Sequence, residues 1–332
     1  VDGGARWTQL EGGMPVIAVR DLEIQRREND LVAGTFGRGI YILDDYSPLR
    51  EVDAGLLQSE AWLFPIKEAW MFMPSAPFGS TGKNTQGGGF YTAPNPPLGA
   101  VFTYYLREGL STLEKSRLER EKEAEEQGRT EPLPSWNELR AESREIDPSV
   151  VLTVSDEEGH IVRRIEGPID AGVHRVSWDL RYPPADPVRL EKPADDNPWD
   201  DPPLGSMVLP GDYTVSLARR VNGTLTQLGE PQRVTAVPLD NATLAAEDKQ
   251  ELHAFQRKVA GLQRAVLGAS RAAEEAQDRI DHLRKAVLDT PDADYALLDE
   301  IDGLETRLKE LLLRLTGDPV LQSRNVPTPP SI

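Results

Sequence analysis

Hydrophobic positions along the chain follow two periods, one typical of strands and one typical of helices. In the first fifty residues, apolar side chains form three short runs, at 16–25, 31–36 and 40–43. The polar residues 26–30 and the Gly-Arg-Gly tripeptide 37–39 separate these runs. Short runs bounded by turn residues predict a three-stranded meander. A lone meander cannot bury both of its faces, so the pattern also predicts that neighbours cover it.

The middle of the chain repeats short apolar runs between turn signals. Asn222-Gly223 and the acidic stretch 156–159 are typical hairpin turns. Six or seven short strands joined by such turns predict an immunoglobulin-like β-sandwich. The strands expected here are 101–106, 150–154, 161–165, 173–180, 213–217 and 234–237.

Two inserts, 111–147 and 182–207, interrupt this predicted sandwich. The first is highly charged, and the second is rich in Pro and Asp and predicts an extended strap. Two short surface helices are expected in the first insert because two serines match capping boxes. The matching pairs are Ser111 with Glu114 and Ser135 with Glu138.

The last third of the chain carries a heptad seam. Apolar residues recur at alternating steps of three and four, which predicts a long helix from about Thr243 to Asp289. Thr290-Pro291 ends it, and a shorter helix follows up to Gly317, so the two form an antiparallel hairpin. The seam consists of Leu252, Phe255, Val259, Leu262, Val266, Ala269, Ala273, Ala276, Ile280, Leu283 and Val287, then Leu297, Ile301, Leu304, Leu308, Leu311 and Leu315.

The unequal lengths of the two predicted helices leave part of this seam without a partner. The shorter helix can cover only the later part of the longer one, so the seam from Leu252 to Leu262 needs another neighbour. Two interpretations are open. The hairpin is a docking element for another protein or subunit, or it is an intramolecular clamp.

Composition narrows the classes of partner. The 37 Lys and Arg residues against 55 Asp and Glu residues leave a net charge of −18. Such a chain repels nucleic-acid phosphates and anionic membrane surfaces. The absence of cysteine excludes disulfides, thiolate metal sites and a cysteine nucleophile. No apolar run reaches the roughly 18 residues of a membrane span. We therefore expect no nucleic-acid partner, no membrane span and no cofactor.

The first residues match a known turn motif. Asp2, Gly4 and Trp7 have the spacing of an Asp-box, in which the Asp bonds amides of its own turn and the Trp packs beneath the loop. The stretch 29–45, NDLVAGTFGRGIYILDD, closely resembles the closing blade of sortilin-like, BNR-repeat β-propellers. These are large exported bacterial proteins often labelled glycosyl hydrolases. The resemblance implies that further blades belong to a longer parent chain and that the location is periplasmic or secreted.

A second resemblance concerns the predicted sandwich. Residues 172–179 and 210–215 resemble the Ig-like domain of flagellar hook-capping proteins, in which a Trp-Asp strand is followed by a Gly-x-Tyr strand. That domain is structural. The resemblance therefore implies that Trp178 and Tyr213 anchor a core rather than bind a ligand.

These patterns and resemblances together predict a mainly β protein with additional helices. Its parts are a partial propeller blade, an immunoglobulin-like β-sandwich and a long antiparallel helical hairpin. The predicted boundaries are 1–74 for the blade and its exit strands, 75–99 for a Gly- and Pro-rich linker, 100–240 for the sandwich with its two inserts, 241–317 for the hairpin and 318–332 for an extended tail.

Candidate chemistry is sparse. The four histidines, at 160, 174, 253 and 282, have neither zinc-site nor protease spacing, so no catalytic residue is nominated. Arg38 either reaches a ligand in a propeller channel or pairs with Asp44 or Asp45, and the pairing is favoured. Four aspartates in the second insert could supply oxygen ligands to Ca²⁺, although a solvated acidic loop is favoured. They are Asp195, Asp196, Asp200 and Asp201.

Three functions are compatible with this reading. The first is a non-catalytic structural and interaction segment of an exported propeller protein. The second is part of a glycoside hydrolase or peptidase-like hydrolase whose active site lies in other blades. The third is a carbohydrate-binding sandwich with an exposed tryptophan as the stacking platform, and the candidates are Trp62, Trp70, Trp136 and Trp199.

Overall fold

The structure, a computed structural model, describes residues 7, 13–74, 93–188, 203–239 and 248–326. It contains both β-sheets and α-helices, which divide into two compact units. The first unit comprises Val1–Phe72, Gln86–Asp179 and Pro210–Leu239, and the second comprises Met73–Thr85, Leu180–Leu209 and Asp240–Ile332.

A three-stranded antiparallel sheet opens the first unit. Its strands are β1 (Val19–Gln25), β2 (Asp30–Thr35) and β3 (Ile40–Leu43), which pair in that order. Positive φ angles at Asn29, Gly37 and Gly39 (59°, 83° and 75°) form the two tight turns. The predicted meander is confirmed, with strand ends close to the predicted ones.

Eight further strands of the first unit form two sheets. The larger sheet has the order β5-β11-β10-β7-β8 and the smaller one the order β4-β6-β9; among these described strands, β5 and β11 are the parallel pair and the other pairs are antiparallel. Asn222 and Gly223, with φ of 50° and 78°, close the predicted hairpin between β10 and β11. The strands are β4 (Ala61–Leu63), β5 (Ala69–Met71), β6 (Ala100–Leu106), β7 (Ser149–Ser155), β8 (Ile161–Gly167), β9 (Gly172–Trp178), β10 (Gly211–Val221) and β11 (Thr224–Pro238).

These two sheets face each other, and we call them the two-sheet core. The indole of Trp178 on β9 meets the ring of Tyr213 on β10 edge-on, with 5.3 Å between ring centroids. The hydroxyl of Tyr104 on β6 donates a hydrogen bond of 2.6 Å to the carbonyl of Pro168, next to β8. Alternate side chains fill the space between the sheets, and Trp178 is fully buried. The resemblance therefore predicted the burial of Trp178 and Tyr213 correctly.

Two helices, α1 (Leu113–Glu126) and α2 (Trp136–Glu142), form the first charged insert. The capping box of Ser135 with Glu138 is present. The other predicted cap is wrong: the hydroxyl of Thr112, not of Ser111, accepts from the amide of Lys115 at 3.1 Å. The Ser111 hydroxyl instead donates to the Thr112 carbonyl.

An arginine ties these two helices together. The Arg117 guanidinium lies 2.7 Å from Glu142 and 2.8 Å from Glu121, and it lowers the pKa of Glu142. The ion pairs explain why a segment with almost no apolar face is helical here.

Polar contacts attach the three-stranded sheet to the two-sheet core. The Lys67 ammonium, between β4 and β5, lies 2.8 Å from the Glu28 carboxylate in the β1–β2 turn and also donates to the Glu28 carbonyl. The Arg175 guanidinium on β9 donates to the carbonyls of Asp44 and Asp45, each at 2.5 Å. These contacts hold the end of the sheet that carries the β1–β2 turn.

Replacing Glu28 with Gln tests this attachment through its pH dependence. The hydrogen bond from Lys67 lowers the pKa of Glu28 below its ordinary 4.5, although burial acts in the opposite direction. A lowered pKa in the folded state stabilises the fold above the unfolded pKa, and the gain is lost as pH falls through the folded pKa. We expect E28Q to lower the free energy of unfolding by about 0.5–1 kcal/mol at pH 7 and by much less at about pH 3. Urea denaturation at both pH values measures this.

The matched control is E23Q, because Glu23 on the exposed strand β1 has no ion pair among the described residues. It should change stability little at either pH. An equal loss for E28Q at both pH values would contradict the ion-pair account.

Three helices dominate the second unit: α3 (Lys249–Asp289), α4 (Ala296–Thr316) and α5 (Pro319–Ser323). Asp248 caps α3, because its carboxylate accepts from the amide of Glu251 at 2.8 Å. The predicted start near Thr243 lies outside the described residues. Gly317, with φ of 89°, ends α4 as predicted.

The short helix α5 corrects the prediction of an extended tail from residue 318. The carboxylate of Asp318 accepts from the amides of Val320 and Leu321, and Pro319 occupies the first helical position. A capping Asp followed by Pro is a common helix start. The sequence therefore contained this signal.

Helices α3 and α4 lie side by side in antiparallel directions. Ile280 of α3 and Ile301 of α4 are each only 6% exposed. Arg284 of α3 lies 3.0 Å from Asp302 of α4 and also pairs with Glu305. Because the connection spans only residues 290–295, the later part of α3 is the part that α4 covers.

Two segments, 180–188 and 203–209, which we call the strap, pack on the first half of α3. They pair with each other through a hydrogen bond from the Val208 amide to the Leu180 carbonyl. Arg264 and Arg271 of α3 donate to the strap carbonyls of Pro184 and Val188, at 3.1 Å and 2.6 Å. The sequence predicts that most of this strap is an insert of the sandwich. In the structure, these contacts join the strap to α3.

Candidate interaction surfaces

The three-stranded sheet exposes apolar side chains on both of its faces. In the strand register, Leu22 and Ile24 of β1 lie on the same face as Tyr41, because residues opposite each other share a face. Ile40 and Ile42 of β3 lie on the other face. The four aliphatic side chains are 58%, 42%, 70% and 58% exposed. Strands that are apolar on both sides are typical of a sheet covered on both sides.

The edges of this sheet are also available. Strands β1 and β3 have no further strand beside them within the described part of the chain. Phe36, 64% exposed, adds to the apolar surface near the β2–β3 turn. Exposed apolar side chains that lie together on a surface are typical of interaction sites.

Arg38 does not form the predicted pair with Asp44 or Asp45. The Asp45 carboxylate instead accepts from the amide and the hydroxyl of Ser47, which fixes the turn after β3. Among the residues that the structure describes, the Arg38 side chain has no ion pair, and the side-chain contact to this turn comes from Arg175.

Within the described ranges, one group of possible metal ligands lies at the β7–β8 turn. Ligand atoms of Asp156, Glu158 and His160 all lie within 4.8 Å of one another. The hairpin itself uses the Asp156 carboxylate, which accepts from the His160 amide at 2.7 Å. The group is therefore explained by the turn and carries no metal proposal. The predicted Ca²⁺ candidates Asp195, Asp196, Asp200 and Asp201 lie outside the described residues.

Local contacts account for three of the four histidines. His160 is part of the β7–β8 turn, as above. His174 and His282 each hydrogen-bond, at 2.6 Å, to the carbonyl of the residue four positions earlier, Asp170 and Asp278. These rings have structural partners rather than catalytic ones in the described parts of the chain.

The fourth histidine, His253, contacts Tyr182, which lines a cavity of about 400 Å³ between the strap and α3. The ring of His253 lies 5.5 Å from that of Tyr182, and the Arg257 guanidinium stacks over Tyr182 at 4.0 Å. Burial, and then the charge of Arg257, lower the pKa of His253, so the imidazole is neutral at pH 7. Its buried Nε2 atom has no hydrogen-bond partner among the described residues.

The described residues that line this cavity include no carboxylate and no histidine. Besides Tyr182 and Arg257, the polar side chains among these lining residues are those of Ser206, Gln256, Gln263 and Arg264. The cavity was not predictable from the sequence, because its two walls, strap residues such as Tyr182 and α3 residues such as Arg257, are far apart along the chain. A cluster of aromatic and basic residues on one helix face was the only available signal.

The candidate tryptophan platforms lie on separate elements. Trp62 on β4 and Trp70 on β5 are 38% and 37% exposed, and Trp136 at the start of α2 is 76% exposed. In the described ranges none of the three makes a ring contact that would form a joint platform. Trp199 lies outside those ranges.

No helix in the described residues is long and apolar enough to cross a membrane. No protein-family model and no curated protein matches the chain.

Proposed function

We propose that this chain is a non-catalytic structural and interaction segment of a larger, exported BNR-repeat protein of the sortilin-like type. The observation that carries the proposal is the exposure of apolar side chains on both faces of the β1-β2-β3 sheet. In a propeller, each blade packs between two neighbours and is covered on both faces. Leu22 and Ile24 would meet one neighbour, and Ile40 and Ile42 the other.

The two-sheet core supports the structural part of this proposal. Its sequence pattern resembles the Ig-like domain of hook-capping proteins, and the Trp178–Tyr213 contact lies between its sheets. A fully buried anchor stabilises a domain but cannot bind a ligand. In this proposal the core is a rigid base for the blade, linked to it through Lys67 and Arg175.

Hydrogen exchange on the natural protein tests the proposal. The protein is purified from its source, its intact mass is measured, and amide exchange in β1–β3 is compared with that of the 332-residue chain. We expect a mass well above 36.7 kDa and exchange in β1–β3 at least about tenfold slower in the natural protein. A mass of 36.7 kDa, or equal exchange in both proteins, would overturn the proposal.

A pair of variants separates blade packing from general destabilisation. I42D places a charge on the exposed blade face, and I161D places one on β8, where Ile161 is similarly exposed at 49%. In the 332-residue chain both should change the free energy of unfolding by about 0.5 kcal/mol or less. In the longer protein only I42D should destabilise strongly, because a charge would be buried between blades.

A further inference from the structure

Each helix of the α3–α4 pair carries two apolar stripes, and α4 covers only one stripe of α3. The covered stripe of α3 repeats every seven residues as Ala273, Ile280 and Val287, opposite Ile301 and its heptad neighbours. The second stripe of α3 also repeats every seven residues but remains largely exposed: Phe255, Leu262 and Leu283 are 63%, 61% and 51% exposed. Its members are Phe255, Leu262, Ala269, Ala276 and Leu283, and we call it the outer stripe.

Helix α4 has a matching exposed stripe. Leu297, Leu304 and Leu311, again seven residues apart, are 43%, 49% and 61% exposed. Heptad seams with both positions apolar are typical of coiled coils, in which a partner helix covers both. Two helices alone leave these stripes uncovered.

The two exposed stripes lie on the same face of the helix pair. Leu283 lies about 60° around α3 from the buried Ile280, and Leu304 lies about 60° in the same sense around α4 from the buried Ile301. Both rotations are measured along the helix's own direction, from its N-terminus to its C-terminus. Because the two helices run in opposite directions, equal rotations of this kind turn both side chains toward the same face of the pair. Leu283 and Leu304 therefore flank one groove, which could hold a further helix.

The strap does not occupy this groove. It binds Arg264 and Arg271, each two residues after a member of the outer stripe, which places them about 160° around the helix from that stripe. The strap thus covers the back of α3 at Arg264 and Arg271. Nearer the start of the helix, the cavity beneath the strap reaches the outer stripe at Phe255, which remains 63% exposed.

We propose that the partner is a second copy of this chain, with the two α3 helices packed antiparallel about a twofold axis at Ala269. The outer stripe is symmetric about that residue: Phe255 comes opposite Leu283 of the second copy, Leu262 opposite Ala276, and Ala269 opposite its own equivalent. A twofold interface must be self-complementary in this way. The first half of each α3 then lies in the groove of the other copy.

Charge supports the antiparallel arrangement. Residues 249–271 carry five Lys and Arg against one Glu, whereas 272–316 carry six Lys and Arg against twelve Asp and Glu. Antiparallel packing places the basic half of one copy beside the acidic helix pair of the other, and parallel packing would place like halves together.

The test measures mass and cross-linking on the full chain. Because the chain has no cysteine, A269C introduces a single thiol at the proposed axis. We expect a dimer by sedimentation over about 1–100 µM, and rapid conversion of A269C to a disulfide dimer on mild oxidation. E275C, at an exposed position off the outer stripe, is the matched control and should cross-link much more slowly.

A second variant tests the stripe without relying on a disulfide. L262E should raise the dimer dissociation constant at least about 100-fold. The twofold symmetry would place two buried carboxylates in the interface, one from each copy. L313E changes a leucine of α4 that is exposed but off the groove, 48% exposed, and should leave the constant unchanged. A monomer at all concentrations, or a dimer that L262E leaves intact and A269C does not cross-link, would overturn the proposal.

Discussion

Replacing Trp178 with Ala should lower the free energy of unfolding by about 3–5 kcal/mol. Trp178 is fully buried, and its indole crosses from the smaller sheet of the two-sheet core to Tyr213 on the larger one. Truncation removes this contact and leaves a cavity. The cavity cannot collapse easily, because backbone hydrogen bonds hold both β9 and β10 in their sheets. Denaturant unfolding followed by far-UV circular dichroism measures the loss.

The matched control is W136A. Trp136 is 76% exposed at the start of α2, so its removal should change stability by about 0.5 kcal/mol or less. A W178A variant as stable as the parent would show that Trp178 is not the core anchor that the resemblance implies. It would also reopen the two-sheet core as a ligand-binding domain.

Replacing Gly99 with Ala should lower the free energy of unfolding by about 2–4 kcal/mol. Gly99 has a φ of 91°, a backbone conformation that residues other than glycine rarely adopt. A Cβ atom at this position would lie only 2.0 Å from the carbonyl oxygen of Trp178. That oxygen belongs to the β6–β9 ladder, so it cannot move without disturbing the strand that carries Trp178.

Comparison with G159A separates the cost of the positive φ from the cost of the steric clash with the Trp178 carbonyl oxygen. Gly159 in the β7–β8 turn has a similar φ of 82°, but nothing lies within 4 Å of a Cβ added there. Its replacement should cost only the backbone strain, about 1–2 kcal/mol. Equal losses for the two variants would mean that the chain at Gly99 moves away from Trp178, and the close approach would then have no energetic role.

The two proposals concern different surfaces and can fail independently. The blade proposal rests on the β1-β2-β3 sheet of the first unit, and the dimer proposal rests on the outer stripe of α3 in the second. A natural protein of 36.7 kDa that dimerises through α3 would remove the first and keep the second. A larger natural protein that is monomeric would do the reverse.

Features with a local signal were predictable. The Asn222-Gly223 turn joins β10 to β11, the acidic turn at 156–159 joins β7 to β8, and the heptad spacing marks α3 and α4. Each of these signals is carried by residues close together in sequence, because turn conformation and helical periodicity depend on neighbours. The cap at Thr112 and the helix α5 were missed although their signals are local as well.

Features that depend on distant pairing were not predictable. No local sequence signal predicts that β5 pairs in parallel with β11 or that β4 pairs with β6, because these strands are far apart in the chain. The same holds for Arg175, which takes the place expected of Arg38 at the turn after β3, and for the cavity beside Tyr182. Such contacts depend on which apolar surfaces meet during folding.

The sequence alone determined the types of element, the tight turns, the acidic character of the chain and the apolar stripes of its helices. Tertiary structure decided which of those stripes and sheet faces are covered. The hydrophobic periodicity and the turn residues indicate which side of a helix or strand is apolar. Whether that side is buried depends on the lengths and positions of all the neighbouring elements. For this reason only the folded chain shows which side chains remain exposed on the β1-β2-β3 sheet and on the outer stripe of α3, the two surfaces on which the proposals rest.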